Sequence, residues 1–135
     1  MKGIVKPFDQ DLYDEVDKKG KKAVIKYAQS CGYKLTENGN IYGVDLVGKA
    51  VRVEVQVSRF WWNEYPYPLI CIFERKKKFI TGSTLFFECS ADCTQAYIIN
   101  DSQLTEENLK QVPWSKEEYA YFIDPKKCKH VFMEG

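Results

Sequence analysis

The sequence has a single histidine, His130, so chemistry that needs several imidazoles is not predicted. Its five cysteines include no C-x-x-C pair, and an odd number favours reduced thiols in the cytoplasm. The spacing of Cys89, Cys93 and Cys128 before His130 is poor for a zinc site. No sequence feature explains a lowered pKa for a cysteine nucleophile. The chemistry must therefore be sought among other residue types.

Long apolar runs and an excess of one charge are missing as well. No segment approaches the roughly 18 apolar residues of a membrane span, and the N-terminal segment lacks the apolar core of a signal peptide. We therefore expect a cytoplasmic protein that is not exported and has no membrane partner. The formal net charge of +1 neither requires nor excludes a nucleic-acid partner, because a local basic patch suffices.

Strict alternation of apolar and polar residues is present in residues 42–60, and it predicts a β-hairpin with one buried and one polar face. The apolar set is Val44, Leu46, Val51, Val53, Val55 and Val57. The polar set is Asp45, Arg52, Glu54, Gln56 and Ser58. The rest of the chain is organised around this hairpin.

The turn of the hairpin is predicted at Gly48 and Lys49, where glycine suits the positive φ of a type II′ turn. That register pairs Asp45 with Arg52 and makes Asp45 and Glu54 diagonal neighbours, about 7–8 Å apart at Cα. Two carboxylates on one sheet face suit a hard cation such as Mg²⁺. They suit equally a solvated face on which Asp45 pairs with Arg52.

The remaining pattern predicts an α+β (or α/β) fold, with residues 1–135 as a single domain. Helical spacing covers residues 12–30 and ends before Gly32. Strands are predicted at residues 69–73, 84–89 and 95–99, a short helix from Thr105, a further turn at 116–119, and a late hairpin or edge strand from 121–123 and 131–133. The order predicts a mixed central sheet flanked by helices.

Three segments together resemble the PD-(D/E)XK nuclease superfamily: a leading helix that ends in CGY, then strands carrying YGVDL and VEVQV. In that superfamily an Asp near one strand and a Glu-x-Lys on the next hold Mg²⁺ against a scissile phosphate. Asp45 matches the Asp and Glu54 the Glu, whereas Gln56 replaces the Lys, as in a minority of restriction endonucleases. The segment TLFFECSADCTQAYII is also similar to the strand–turn–strand that follows in small phage and bacterial members. The resemblance implies a restriction-endonuclease-like fold over roughly residues 12–100.

The resemblance also implies a function, the hydrolysis of DNA phosphodiester bonds. Asp45, Glu54 and the backbone carbonyl of Val55 would hold Mg²⁺, with Mn²⁺ as an alternative, and Gln56 would orient the attacking water. Many members add an acid from the leading helix, and of Asp14, Glu15 and Asp17 we favour Asp17. The charge that a lysine would bring is missing at position 56, and Arg52 is a candidate to supply it.

A DNA partner is expected, RNA is not excluded, and a homodimer is possible because cutting two strands needs two sites. The residues expected to contact nucleic acid are Arg52, Trp61, Trp62, Arg75, Lys76, Lys77 and Lys78. Of the two tryptophans, one is expected in the core and one at the cleft.

Three functions remain open at this point. The first is an active nuclease, in keeping with a phage or mobile-element protein. The second is a catalytically inactive module of the same fold that binds DNA or serves in assembly. Gln56 fits either of these two, whereas the presence of both Asp45 and Glu54 favours metal binding. The third is a small α/β protein with no nucleic-acid role, whose acidic face is merely solvated.

Overall fold

The computed structural model describes residues 10–40 and 42–134, with side chains from residue 15 onward. The described residues form one α-helix, nine strands and four short 3₁₀ helices. The helix is α1 (Gln10–Ser30), and the strands are β1 (Thr36–Glu37), β2 (Leu46–Val47), β3 (Arg52–Val57), β4 (Ile70–Phe73), β5 (Thr84–Cys89), β6 (Gln95–Asn100), β7 (Leu109–Gln111), β8 (Tyr119–Ile123) and β9 (Lys129–Phe132). The 3₁₀ helices are Glu74–Phe79, Asp101–Gln103, Glu106–Asn108 and Pro125–Lys127.

Helix α1 forms where the sequence predicts it, and Gly32 ends it. Gly32 has a φ of +88°, and the N–H of Tyr33 donates to the carbonyl of Ala28 at 2.8 Å, which is a Schellman closure. The apolar side of the helix, which includes Val24, is buried against a sheet. No helix in the described part of the chain has the length and apolarity to span a membrane.

Two sheets lie behind this helix, so the molecule has three layers. The first sheet has the strand order β1-β2-β3-β5-β6-β9 and is mixed, because β3 runs parallel to β5 while the other neighbours are antiparallel. The second sheet has the order β4-β8-β7. Successive side chains of β5 point to opposite faces of the first sheet. Phe87 packs in the cluster with α1, whereas Phe86 packs against the second sheet. The predicted α+β fold with a mixed sheet is confirmed, although a sheet covers the face opposite α1.

The hairpin forms with the predicted faces but in a different register. Leu46 pairs with Val53, two residues from the predicted partner, so the turn residues are Lys49 and Ala50. The N–H of Gly48 donates to the carbonyl of Val51 at 2.8 Å and closes the turn. The predicted turn at Gly48-Lys49 and the pairing of Asp45 with Arg52 are therefore wrong. A two-residue shift keeps every side chain on its face, which is why the alternation did not reveal it.

Gly48 is needed for space in this hairpin. A Cβ at this position would lie 2.9 Å from Cδ2 of Leu35 and 3.1 Å from the carbonyl oxygen of Lys34. Positive φ angles in the described chain occur instead at Gly32, Gly82 and Cys93. Close packing against the chain after α1, not turn conformation, accounts for glycine here.

The C-terminal third differs most from prediction. The helix expected from Thr105 is one 3₁₀ turn, Glu106–Asn108, and the turn expected at residues 116–119 is irregular chain that leads into β8. Strands β8 and β9 do not pair with each other. Tyr121 of β8 is buried with the second sheet, whereas Val131 of β9 is buried with α1. Each strand therefore joins the sheet whose core its apolar residues complete.

Candidate active site

Two acidic residues meet where β3 runs past the end of β2. Asp45 stands one residue before β2 and opposite Glu54, next to the pair of Leu46 with Val53. The N–H of Asp45 donates to Oε1 of Glu54 at 3.2 Å, and the N–H of Val55 donates to Oδ2 of Asp45 at 2.8 Å. The carboxylate of Asp45 thus takes the place of the backbone carbonyl that a longer β2 would offer to the N–H of Val55. The two carboxylates are closer neighbours than the predicted register implied.

The backbone N–H and C=O of Val55 point toward the two carboxylates. The N–H of Arg52 donates to the carbonyl of Ser83 on the β5 side of β3. Val55 lies three positions on, so its N–H and C=O point to the opposite edge, where Asp45 stands. Two carboxylates and a carbonyl oxygen therefore share one open sheet edge. Such an all-oxygen set fits a hard divalent cation.

Two lysines balance the acidic pair. Lys76, in the 3₁₀ helix Glu74–Phe79, forms an ion pair with Oε2 of Glu54. Lys21 of α1 lies 3.0 Å from Oδ2 of Asp17 and 3.8 Å from Oδ1 of Asp45. The predicted charge compensation by Arg52 is not observed, because Arg52 pairs with Val47 and its side chain is exposed. The cations next to the two acids therefore come from α1 and from the 3₁₀ helix Glu74–Phe79.

Burial and charged neighbours shift the pKa values of Glu54 and Lys21. Glu54 is 5% exposed, and burial raises the pKa of its carboxyl while the hydrogen bond and charge of Lys76 oppose the rise. Burial acts to lower the pKa of Lys21, but hydrogen bonding and charge from Asp17 outweigh it and raise that pKa. Lys21 therefore stays a cation between Asp17 and Asp45.

Gln56 belongs to a second, more deeply buried network. Its amide Nε2 donates to Oε1 of Glu88 at 2.8 Å and to the carbonyl of Cys71 at 3.3 Å. The hydroxyl of Tyr65 donates to Oε2 of Glu88 at 3.4 Å. Both partners of Gln56 accept from its amide nitrogen, and Gln56 is also part of the cleft lining. Burial raises the pKa of Glu88 to about 7, against the hydrogen bonds from Gln56 and Tyr65 that lower it.

Two concave surfaces adjoin the acidic pair. A cleft of about 260 Å³ runs along the open edge of β3, and its lining includes Val16, Asp17, Val55, Gln56, Val57, Arg59, Phe73, Arg75 and Lys76. A larger groove of about 680 Å³ is lined on its basic side by Lys49, Arg52 and Lys78, and no acidic residue is among its described lining. The predicted basic run thus divides, with two of its side chains in the cleft and Lys78 in the groove. Lys77 is exposed and lines neither.

Of the three candidate acids of α1, Glu15 and Asp17 differ in their position relative to the cleft. Asp17 lines the cleft and reaches Asp45 only through Lys21, whereas Glu15 lies on another face of α1 with Lys18 and Lys22. The side chain of Asp14 lies outside the described residues. Among the side chains that are described, no three His, Cys, Asp or Glu groups converge as a metal site. A cation here would rest on Asp45, Glu54 and the carbonyl of Val55.

The two adjacent tryptophans have different environments. Trp61 is 0% exposed, stacks on Tyr97 with ring centroids 5.1 Å apart, and donates its indole N–H to the carbonyl of Asn63. Assigning Trp61 to nucleic-acid binding is therefore wrong, because both ring faces are inside the protein. Trp62 is 64% exposed but is not part of the cleft lining.

Sequence reasoning missed three residues near the site. Lys21 follows Asp17 by one helical turn, so the i,i+4 spacing was a usable signal. Glu88 stands opposite Gln56 only because β3 and β5 pair in parallel, and no local pattern indicates that. Trp114 lies against Phe73 at the cleft, with ring centroids 6.4 Å apart, although the two are distant in sequence.

No protein-family model, curated protein or solved structure matches this chain. The resemblance to PD-(D/E)XK nucleases therefore rests on the motif residues themselves. Of these, Asp45, Glu54, Val55 and Gln56 occupy adjoining positions on β3 and at the start of β2.

Proposed function

We propose that this protein is a metal-dependent nuclease that hydrolyses phosphodiester bonds in DNA. The observation that carries the proposal is the direct opposition of Asp45 and Glu54 at the open edge of β3, with the Val55 carbonyl at the same edge. A merely solvated acidic face does not explain it, because Glu54 is 5% exposed and is buried among its partners. Burying a carboxylate is costly unless it is paired, and Lys76 is the partner that offsets this cost and keeps Glu54 at the sheet edge.

The cleft beside the acids suits a phosphodiester. Arg59, Arg75 and Lys76 line it, so a phosphate that enters meets cations on the walls. Asp45 and Glu54 are not in the lining themselves but adjoin it through Val55 and Lys76. Mg²⁺ or Mn²⁺, when bound, would polarise the phosphoryl oxygens and lower the pKa of an attacking water. Asp45, Glu54 and the Val55 carbonyl are the groups that would hold it.

Two residues have distinct roles in this proposal. Gln56 lines the cleft, and its amide oxygen, which Glu88 and Cys71 do not engage, would accept a hydrogen bond from the attacking water and orient the water's lone pair toward phosphorus. Lys76 brings to Glu54 the charge that Gln56 lacks, and its ammonium group is placed to stabilise negative charge that develops on the phosphoryl oxygens.

Cleavage of a labelled DNA in Mg²⁺ tests this proposal. Asp45→Asn and Glu54→Gln keep the shape of each side chain but remove one negative charge from the ligand set. We expect each to lower the cleavage rate by at least about 100-fold, since a bound cation contributes several kcal/mol to such a transition state. Glu107→Gln is the matched control, because Glu107 is an exposed acid in another 3₁₀ helix.

The binding of Mn²⁺ to the wild type and to each variant is measured by titration alongside cleavage. Loss of binding in Glu54→Gln but not in Glu107→Gln supports the site. Wild-type cleavage that persists in EDTA, or that both site variants retain, would contradict it.

A DNA-binding module without catalysis is the second candidate. It is favoured by the engagement of Gln56 with Glu88 and by the ion pair that already occupies Oε2 of Glu54. This candidate predicts DNA binding by wild type and Glu54→Gln alike, with no cleavage in either metal.

A further inference from the structure

An exposed aromatic and cationic surface adjoins the cleft on the side of the second sheet. Trp114 is 65% exposed and lies edge-on to Phe73, with ring centroids 6.4 Å apart and an angle of 76° between the rings. The guanidinium of Arg75 lies over the Phe73 ring, 4.6 Å from its centroid. We refer to Trp114, Phe73 and Arg75 as the aromatic platform.

The platform is continuous with the candidate active site. Phe73 and Arg75 line the 260 Å³ cleft together with Gln56 and Lys76, and Lys76 binds Glu54. Asp17 is the acid in that lining, and Lys21 neutralises it at 3.0 Å. A ligand that enters the cleft therefore meets cations near the acidic pair and exposed aromatic rings beside them.

We propose that the aromatic platform stacks an unpaired base of the DNA strand whose phosphate enters the cleft, so that the protein selects single-stranded DNA. This inference rests on the proposed function for the identity of the ligand. The exposed indole of Trp114 gives a base a π-surface on which any base can stack, and the guanidinium of Arg75, which covers the half-buried Phe73 ring, adds an attraction to rings and phosphates alike. In a duplex the faces of each base are covered by its neighbours, so a duplex offers the platform nothing to stack on.

The geometry favours this occupant over a protein partner. The exposed Trp114 ring is joined through Phe73 to the guanidinium of Arg75, and the cleft beyond adds Arg59 and Lys76, so one exposed ring and several cations match a base with its phosphates. Of the other exposed aromatic side chains, Phe60 at 74% lies outside the cleft lining, and Tyr42 at 78% lines the larger groove with Lys49, Arg52 and Lys78 instead of the cleft.

The test measures binding without catalysis. Fluorescence anisotropy follows one labelled oligonucleotide as a single strand and as a duplex, in EDTA, with the wild type and variants. Trp114→Ala is expected to weaken single-strand binding by about 10–100-fold, the contribution of one stacked base, and duplex binding by less than about threefold. Trp114→Phe should keep most of the affinity, because it retains a ring.

Phe132→Ala is the matched control. Phe132 is 74% exposed on β9, at the sheet edge far from β3, so its removal should change neither affinity. Trp62→Ala tests the rival aromatic. The proposal is overturned if Trp62→Ala rather than Trp114→Ala carries the loss, if single strand and duplex weaken equally, or if the wild type does not prefer the single strand.

These outcomes are separable from those of the nuclease proposal. Binding in EDTA needs no metal. If the protein selects single strands through Trp114 but never cleaves, the platform proposal is supported and the nuclease proposal is contradicted. If the protein cleaves duplex DNA and its affinity for DNA does not change in Trp114→Ala, the nuclease proposal is supported and the platform proposal is contradicted.

Discussion

Glu88 is a carboxylic acid with almost no access to water, and its protonation is coupled to folding. It is 6% exposed, and burial raises its pKa to about 7. Its neighbours are Gln56, Tyr65 and Cys71, none of which is a cation. In the unfolded chain the pKa of the same carboxyl is the ordinary one, near 4.5. The folded protein therefore binds a proton that the unfolded chain has released.

This difference predicts that stability falls as the pH rises. The contribution is complete below about pH 4.5 and is lost as the pH rises through about 7, where Glu88 ionises in the folded state. The loss approaches roughly 3 kcal/mol from a shift of this size. Urea unfolding from pH 5 to pH 9 measures it. Glu88→Gln, which keeps the amide–hydroxyl network without a titrating proton, should flatten the profile.

Gln56→Lys provides a second check on the same carboxyl. An ammonium opposite Glu88 would favour its ionised form, so the loss of stability above pH 7 should shrink. A wild-type profile that does not fall, or one that Glu88→Gln leaves unchanged, would show that another group controls the pH dependence.

At the scale of elements, α1 and β3 approach each other at Gly20. A Cβ there would lie 2.8 Å from Cγ2 of Val57 and 3.3 Å from Cγ1 of Val55. Alanine would gain about 1 kcal/mol of helix propensity, yet overpacking of this kind costs about 1–3 kcal/mol. We expect Gly20→Ala to be destabilising by up to about 2 kcal/mol in urea unfolding, against a neutral Gln29→Ala control on the exposed side of α1.

Relief of the clash would identify its source. Val57→Ala removes the methyl group nearest to the new Cβ, so Gly20→Ala should cost less in the Val57→Ala background than alone. If the two costs simply add, or if Gly20→Ala is stabilising in the wild type, the close approach of α1 and β3 is not what requires glycine.

The same elements show how far sequence reasoning extends. Period-two alternation located β3, and the helical period with Gly32 located α1, because burial of one face imposes those periods directly. Short apolar runs bounded by turn residues located β4, β5 and β6. The turn was misplaced because Gly48 is required by Leu35, a contact that local sequence does not encode. Strand β7 has three residues, too few to display a period, so the second sheet was not predicted.

The candidate site likewise contains residues that the sequence predicted and residues that it did not. Asp45, Glu54 and Gln56 lie within one hairpin, so a motif could find them. Lys76 and Trp114 reach the site only through the second sheet and the chain around it, so their roles depend on tertiary structure that the motif does not contain.

At the scale of the molecule, the net charge is small, but cationic side chains are grouped on two separate faces. The formal net charge is +1, so long-range attraction of DNA to the whole protein is weak. Arg52 and Lys78 line the groove beside the acidic pair, whereas Lys22 and Lys26 lie with the outer side of α1, across the first sheet. If the proposed function is right, phosphates should meet the first set and not the second.

Salt dependence of binding distinguishes these two faces. Each phosphate contact to a single strand contributes about 0.7 to the slope of log affinity against log salt concentration. Arg52→Gln combined with Lys78→Gln should therefore reduce that slope by about 1.4, whereas Lys22→Gln combined with Lys26→Gln, which removes the same charge, should leave it unchanged. The measurement is anisotropy of a labelled single strand in EDTA across a salt series. An equal reduction by both pairs would mean that DNA responds to net charge alone, and a reduction only by the helix pair would place the DNA on α1, away from Asp45 and Glu54.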